Sequence, residues 1–111
     1  ALADIRTLLK PGGIVGVEAH RAPESAPDAW ASGEQGYVKQ SAVIAAFQTA
    51  GFELVGSSEM NANPKDQPTE QDSVWRLPPS LATSKDDPEL RAAMQAIGES
   101  DRMTLKFRKK D

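Results

Sequence analysis

Between Asp101 and Lys109 the chain alternates: Met103, Leu105 and Phe107 are apolar, and Arg102, Thr104, Lys106 and Arg108 are polar. A period of two marks a β-strand with one face buried and the other in water. Such a strand needs neighbours in a sheet and a layer packed over its apolar side. An earlier run is of a different kind. Ile14-Val15-Gly16-Val17-Glu18-Ala19 is β-branched and almost continuously apolar, which favours a parallel strand covered on both faces. Gly16 there marks a close packing contact. Phe52-Glu53-Leu54-Val55-Gly56 reads as a third strand, with Phe52 and Leu54 on one face.

Helical segments separate these strands. Leu2, Ile5, Leu8 and Leu9 form one stripe over residues 1–10, and Lys10 suits the negative end of the helix dipole. Pro11-Gly12-Gly13 stops that helix and turns the chain. Residues 21–36 read as an irregular loop or lid. Ser41 is the expected N-cap of a second helix carrying Val43, Ile44, Phe47 and Ala50, closed by Gly51. Residues 57–87 carry four prolines and few large apolar groups. They are expected to form a long excursion or lid, ordered in places by Met60, Val74, Trp75, Leu77 and Leu81. Asp87-Pro88-Glu89 opens a short helix with an acidic cap and a proline at its first position, and Gly98 ends it. Its stripe is Leu90, Met94 and Ile97. Two strands joined by a helix imply a right-handed parallel crossover. The expectation is therefore an α/β fold: a partial doubly wound sheet of two parallel strands plus a C-terminal antiparallel strand, with flanking helices.

The chain has 111 residues, enough for one domain that buries about two-thirds of its unfolded surface. It has no cysteine, so disulfides and thiolate metal sites are excluded. No metal site is expected from its other residues either. The net charge of −3 argues against a nucleic-acid partner. No apolar run approaches the roughly 20 residues of a membrane span, so no membrane partner is expected. One histidine and the lack of a Gly-x-Ser-x-Gly elbow leave no catalytic triad. The chain opens at Ala1 within a helical pattern and reads as a piece of something longer. A cytoplasmic location is expected, though a signal peptide upstream would be invisible here.

Leu8-Leu9-Lys10-Pro11-Gly12-Gly13 followed by an apolar strand resembles the late segment of class I S-adenosylmethionine-dependent methyltransferases. In that family the motif joins the fourth sheet-flanking helix to the fifth strand. Ala50-Gly51-Phe52-Glu53-Leu54-Val55 resembles the junction into the sixth strand. Residues 101–107 resemble the seventh, which is antiparallel and inserts between strands five and six. Met60-Asn61-Ala62-Asn63-Pro64-Lys65-Asp66, Val74-Trp75-Arg76-Leu77-Pro78-Pro79 and Ile97-Gly98-Glu99-Ser100-Asp101-Arg102 are similar to a bacterial group of predicted methyltransferases. The resemblance implies the substrate-side, C-terminal part of such a domain, acting on a small-molecule methyl acceptor. The cofactor would be S-adenosylmethionine, bound by the full-length protein only. The family's glycine loop, which follows a strand and opens a helix, is missing here: Pro11-Gly12-Gly13 precedes a strand. No cofactor-binding residue is therefore expected within this chain, which should be inactive alone.

Glu18 and His20 lie two apart, so they share a face if the strand persists. They fall at a strand's carboxyl end, where open α/β sheets bind ligands. His20 is the candidate base, with Glu18 orienting it or accepting a hydrogen bond; the alternative is a histidine in a solvated loop. Asn61, Asn63 and Asp66, with Lys65, are candidate substrate contacts or ordinary turn residues. Tyr37 and Trp75 are candidate walls of a substrate cleft, although a buried Trp75 pinning the loop is the commoner role. Glu99, Ser100, Asp101 and Arg102 read as a local ion-pair and capping network. An alternative class of function is a non-catalytic assembly module: a half-sheet exposes an edge, so a homodimer or an exchange of elements is expected.

Overall fold

The structure is a computed structural model that describes residues 2–110. In chain order it holds α1 (Leu2–Leu8), β1 (Ile14–Ala22), β2 (Val38–Lys39), α2 (Gln40–Thr49), β3 (Phe52–Ser58), a 3₁₀ turn (Val74–Arg76), α3 (Pro88–Ile97) and β4 (Arg102–Lys109). This is a mixed α/β architecture. The strand order is β2-β1-β4-β3. β4, the last strand in the chain, lies between β1 and β3 and is antiparallel to both, so β1 and β3 run the same way.

Register explains the alternation of β4. Val15 pairs with Phe107, Val17 with Leu105 and Ala19 with Met103, and this face is the core. Phe47 of α2 stacks on Phe107 at 4.2 Å between ring centroids and meets Phe52 edge-on at 5.4 Å. Leu2 and Leu9 from the α1 region, with Val43 and Ile44 from α2, complete that core. Both helices therefore cover one side of the sheet. The other side carries Glu18, His20, Glu53, Arg102, Lys106 and Arg108. The expectation that the apolar run of β1 is covered on both faces is thus corrected. Its neighbour over most of its length is the antiparallel β4, Ile14 on the polar side is 47% exposed, and the close packing contact expected at Gly16 is absent, since a Cβ there would meet no atom within 4 Å. The molecule is elongated, 53 × 26 × 22 Å, with a radius of gyration of 16.0 Å. A compact chain of this length would show about 13 Å.

Several boundaries differ from expectation. α1 ends at Leu8, short of Lys10, and Leu8 is exposed, so it lies off the buried stripe. β1 runs on to Ala22, because the Arg21 N–H donates to the Asp101 carbonyl at 2.7 Å while Arg21 and Ala22 pair with Val38 and Lys39 of β2. β3 reaches Ser58, so the long excursion starts after it. Ser41 is not the N-cap of α2. Lys39 holds that position without a side-chain capping bond, and Ser41 sits inside the first turn. The carboxylate of Glu24 caps the helix from a distance, accepting from the Ser41 N–H at 3.1 Å and from its hydroxyl at 2.6 Å. α3 follows the expected grammar: the Asp87 carboxylate accepts from the Leu90 N–H at 3.0 Å, Pro88 opens the helix and Gly98 closes it with φ of 86°.

The hydrogen bonds from Ser41 hold the Glu24 carboxyl below its ordinary pKa. A depressed folded-state value contributes stability above the unfolded pKa, and this is lost as pH falls through the folded one. Glu24→Gln is therefore expected to lower the melting temperature slightly near neutral pH and to leave it unchanged at the acid end. Melting curves of both proteins between about pH 3 and 7 test this, and equal differences at every pH would contradict it.

Candidate functional site

The carboxyl end of β1 meets the start of β4 and the excursion, and three groups of polar residues gather there. Glu18 and His20 do share a face of β1. His20 lies beside Arg102 across the β1–β4 ladder, and Glu18 beside Thr104. The Arg102 guanidinium donates from Nη1 to Glu18 at 2.5 Å, and its Nη2 lies 3.8 Å from Glu99. His20 Nδ1 is hydrogen-bonded to the Ser100 hydroxyl. With Nδ1 engaged, Nε2 is the nitrogen left for a ligand. The sequence network of Glu99, Ser100, Asp101 and Arg102 thus reaches beyond itself. Its members tie β4 to β1.

His20, Glu99, Ser100 and Arg102 border a cleft of about 170 Å³, walled also by Trp75 and Pro78-Pro79. Trp75 is 46% exposed there. The commoner expectation for Trp75, a buried anchor, is overturned, and the exposed ring forms one side of the cleft. Trp30 has the anchoring role instead. It stacks on Tyr37 at 5.3 Å, and its indole N–H donates to the Asp72 carbonyl at 3.0 Å. Met60, expected to help order the excursion, is also exposed, whereas Val74, Leu77 and Leu81 are buried as expected.

Tyr37 and Asp66 stand below the surface, not on a cleft wall. Tyr37 is fully buried, and Asp66 and Arg76 are each 6% exposed. The Tyr37 hydroxyl donates to Asp66 at 2.9 Å and accepts from Arg76 Nη1 at 2.9 Å, while Arg76 Nη2 donates to Asp66 at 2.9 Å. Burial pushes the Tyr37 phenol well above its usual range, with Arg76 opposing that shift and Asp66 adding to it. Desolvation works against the Arg76 charge, and hydrogen bonds to Tyr37 and Asp66 outweigh it, leaving its pKa raised. Asp66 also accepts from the Asp101 N–H at 3.0 Å. Asp101 in turn accepts two bonds from Arg21, at 2.9 and 3.0 Å. Those bonds, then the one to Glu59, raise the Arg21 pKa. A chain of contacts therefore runs from the excursion into the end of β1.

Asn61 and Asn63 are also occupied. The Asn61 amide donates to Thr104 at 2.8 Å. The Asn63 amide donates to the carbonyls of Ile97 and Glu99, both at 2.7 Å, and its N–H donates to Asp101. They fasten the excursion to β4 and to the end of α3. Of the sequence candidates, His20 and Trp75 line the cleft, and Glu18 is linked to it through Arg102. Tyr37, Asn61, Asn63 and Asp66 form the support behind it. Sequence reasoning missed Arg21 and Arg76, and it placed Ser100 in a local network without its bond to His20. The signal for Arg76 was present: a cation between Val74, Trp75 and Leu77 needs a buried partner. Among the described residues no cluster could hold a metal ion, and no helix is long and apolar enough to cross a membrane.

Comparison of the chain with protein-family models, curated proteins and solved structures returned no match. The chemistry of the cleft is therefore read from its own residues: one imidazole, one guanidinium held between two carboxylates, and an aromatic and proline wall.

Proposed function

We propose that the chain is the acceptor side of a class I S-adenosylmethionine-dependent methyltransferase, acting on a small molecule. The observation that carries this reading is the strand order. Two strands running the same way, joined through α2, flank an antiparallel final strand, which is the order the sequence resemblance implies. A half of a doubly wound sheet is the finer form of the same proposal. The cleft at the carboxyl end of β1 supports it further, since ligands of open α/β sheets bind there.

The residues present do not fit the cofactor. The glycines of the Pro11-Gly12-Gly13 turn form no cradle: a Cβ on Gly13 would sit 2.9 Å from the Lys10 carbonyl, so its small size serves the packing of the turn itself. On this reading the chain's own work is to bind the acceptor, orient it and exclude water. His20 Nε2 would take a proton from an acceptor that must lose one, with Ser100 fixing the ring through Nδ1. Arg102, held by Glu18, would orient polar groups, and Trp75 a flat or apolar part.

Titration calorimetry tests the proposal. S-adenosylmethionine added to the 111-residue chain is expected to give no saturating heat. Added to a longer product of the same gene that carries a glycine-rich strand–loop–helix segment, it should saturate at one site. A folded longer product that does not bind it would overturn the reading.

A further inference from the structure

Resting on the acceptor-site reading of the cleft, we infer that Glu18 sets its specificity. By holding the Arg102 guanidinium, Glu18 makes the cleft a site for uncharged single-ring compounds and turns their carboxylate counterparts away.

The cleft encloses about 170 Å³, and a cavity of roughly 150 Å³ holds one benzene ring. A single ring therefore fills it, and a fused system would project from it. Its apolar side suits a flat ring. Trp75, Pro78 and Pro79 line it together with Val74 and Leu77, and an aromatic ring packs well against an exposed indole.

The polar side decides the charge. Besides His20, the titratable side chains lining the cleft are Glu99 and Arg102. A free guanidinium there would grip an anion, since it can hold a carboxylate through two parallel bonds. This guanidinium is already engaged. Its Nη1 donates to Glu18 at 2.5 Å, its Nη2 faces Glu99 at 3.8 Å, and its Nε is enclosed without a partner. Each outer nitrogen thus has a carboxylate of this chain beside it. An anionic ligand would have to displace Glu18 and then lie against Glu99. An ammonium would lie against the guanidinium itself. A ring bearing a hydroxyl, carbonyl or amide meets neither penalty and can hydrogen-bond to His20 Nε2.

Glu18 does this from outside the cleft. Arg102 sits opposite His20 on the ladder and Glu18 opposite Thr104, so the guanidinium reaches back along the sheet face to its partner. The Arg102 and Glu18 side chains are 27% and 48% exposed, and a pair so open to water adds little to folding. Removing the Glu18 charge therefore leaves the fold in place and sets the Arg102 charge free.

Benzamide and benzoate share a shape and differ in charge, so they make the test. Each is titrated into the 111-residue chain at about pH 8, where a free imidazole is uncharged. Binding is read by nuclear magnetic resonance at the Trp75 indole N–H, with the indole of Trp30, which does not line the cleft, as internal control. Benzamide should bind in the millimolar range expected of so small a ligand, and benzoate about tenfold more weakly or worse. Glu18→Gln should strengthen benzoate by about tenfold or more and change benzamide by less than about threefold. Glu18→Thr, a residue that suits a strand, should give the same gain and stands in if the first variant folds poorly. Arg102→Gln added to Glu18→Gln should abolish the gain. A merely structural role for Glu18 would instead weaken both probes alike.

Equal binding of the two probes by the unmodified chain overturns the inference. So does the lack of any shift at Trp75, a gain missing from both Glu18 variants, or a gain that survives the loss of Arg102. No cofactor enters these titrations, so the two readings fail separately. A longer product that does not bind S-adenosylmethionine would leave this selectivity standing, and the wrong charge preference would leave the methyltransferase reading standing.

Discussion

Asp66→Ala is expected to cost about 3–5 kcal/mol of folding stability, as the loss of one partner from a buried ion pair does. The carboxylate accepts from Arg76, Tyr37 and the Asp101 N–H. Its removal leaves a guanidinium that is 6% exposed with Asp72, at 3.8 Å from Nε, as the carboxylate near it, beside neutral bonds to the Tyr37 hydroxyl and the Ser73 carbonyl. A chain of this length has about 6–17 kcal/mol in total, so the loss is a large fraction. Asp66→Asn keeps an acceptor for Arg76 and should cost less, about 1–3 kcal/mol. Urea unfolding followed by tryptophan fluorescence measures both. The double change Asp66→Leu with Arg76→Met offers a sharper comparison, since an apolar pair can recover much of what a single deletion loses. If Asp66→Ala unfolds within 1 kcal/mol of the unmodified chain, the buried network does not hold the excursion.

Phe107→Ala should be comparably severe, about 3–5 kcal/mol. The ring is fully buried, stacked on Phe47 and set between Val15 and Leu54 at the middle of the sheet. Truncation removes the contact through which α2 grips β4 and leaves a void beneath Phe52. The neighbouring Leu54 is 37% exposed, so Leu54→Ala has less apolar area to lose, and about 1 kcal/mol is expected. A chemical denaturation series over these two sites checks the ranking. Equal costs at both would mean that the core is not centred on β4. The two large effects should add, because the Asp66 network and the Phe107 cluster have no residue in common.

The contrast between these sites also explains what the sequence made legible. The alternation of Met103, Leu105 and Phe107 is a local pattern with one physical cause, and the structure realises it residue by residue. Asp87, Pro88 and Gly98 likewise act within one turn of their own positions. Ser41 was misread because its partner, Glu24, lies seventeen residues away, and no local rule anticipates a distant cap. Arg21 looked like the start of a loop because its partners, Asp101, Gln40 and Glu59, come from three other segments. β2 is two residues long, too short to show any period. The candidate site followed the same divide. Glu18 and His20 were found through their spacing on one strand, whereas Ser100 joins His20 only because β4 returns beside β1. Tyr37 and Asp66 drew notice as polar and aromatic residues, but their depth depends on Arg76 and Trp30.

The central position of β4 has a consequence for how the chain is made. β1 and β3 touch the same strand, and that strand is synthesised after both of them. The stretch from Ser58 to Arg102 takes roughly two to nine seconds to emerge at the usual rates of translation. During that interval Val15, Val17, Phe52 and Leu54 lack the strand they pair with, and α2 has only part of its core. The nascent chain therefore presents adhesive strand edges to its surroundings for seconds before the sheet can close. The arrival of β4 is thus the step that joins β1 to β3.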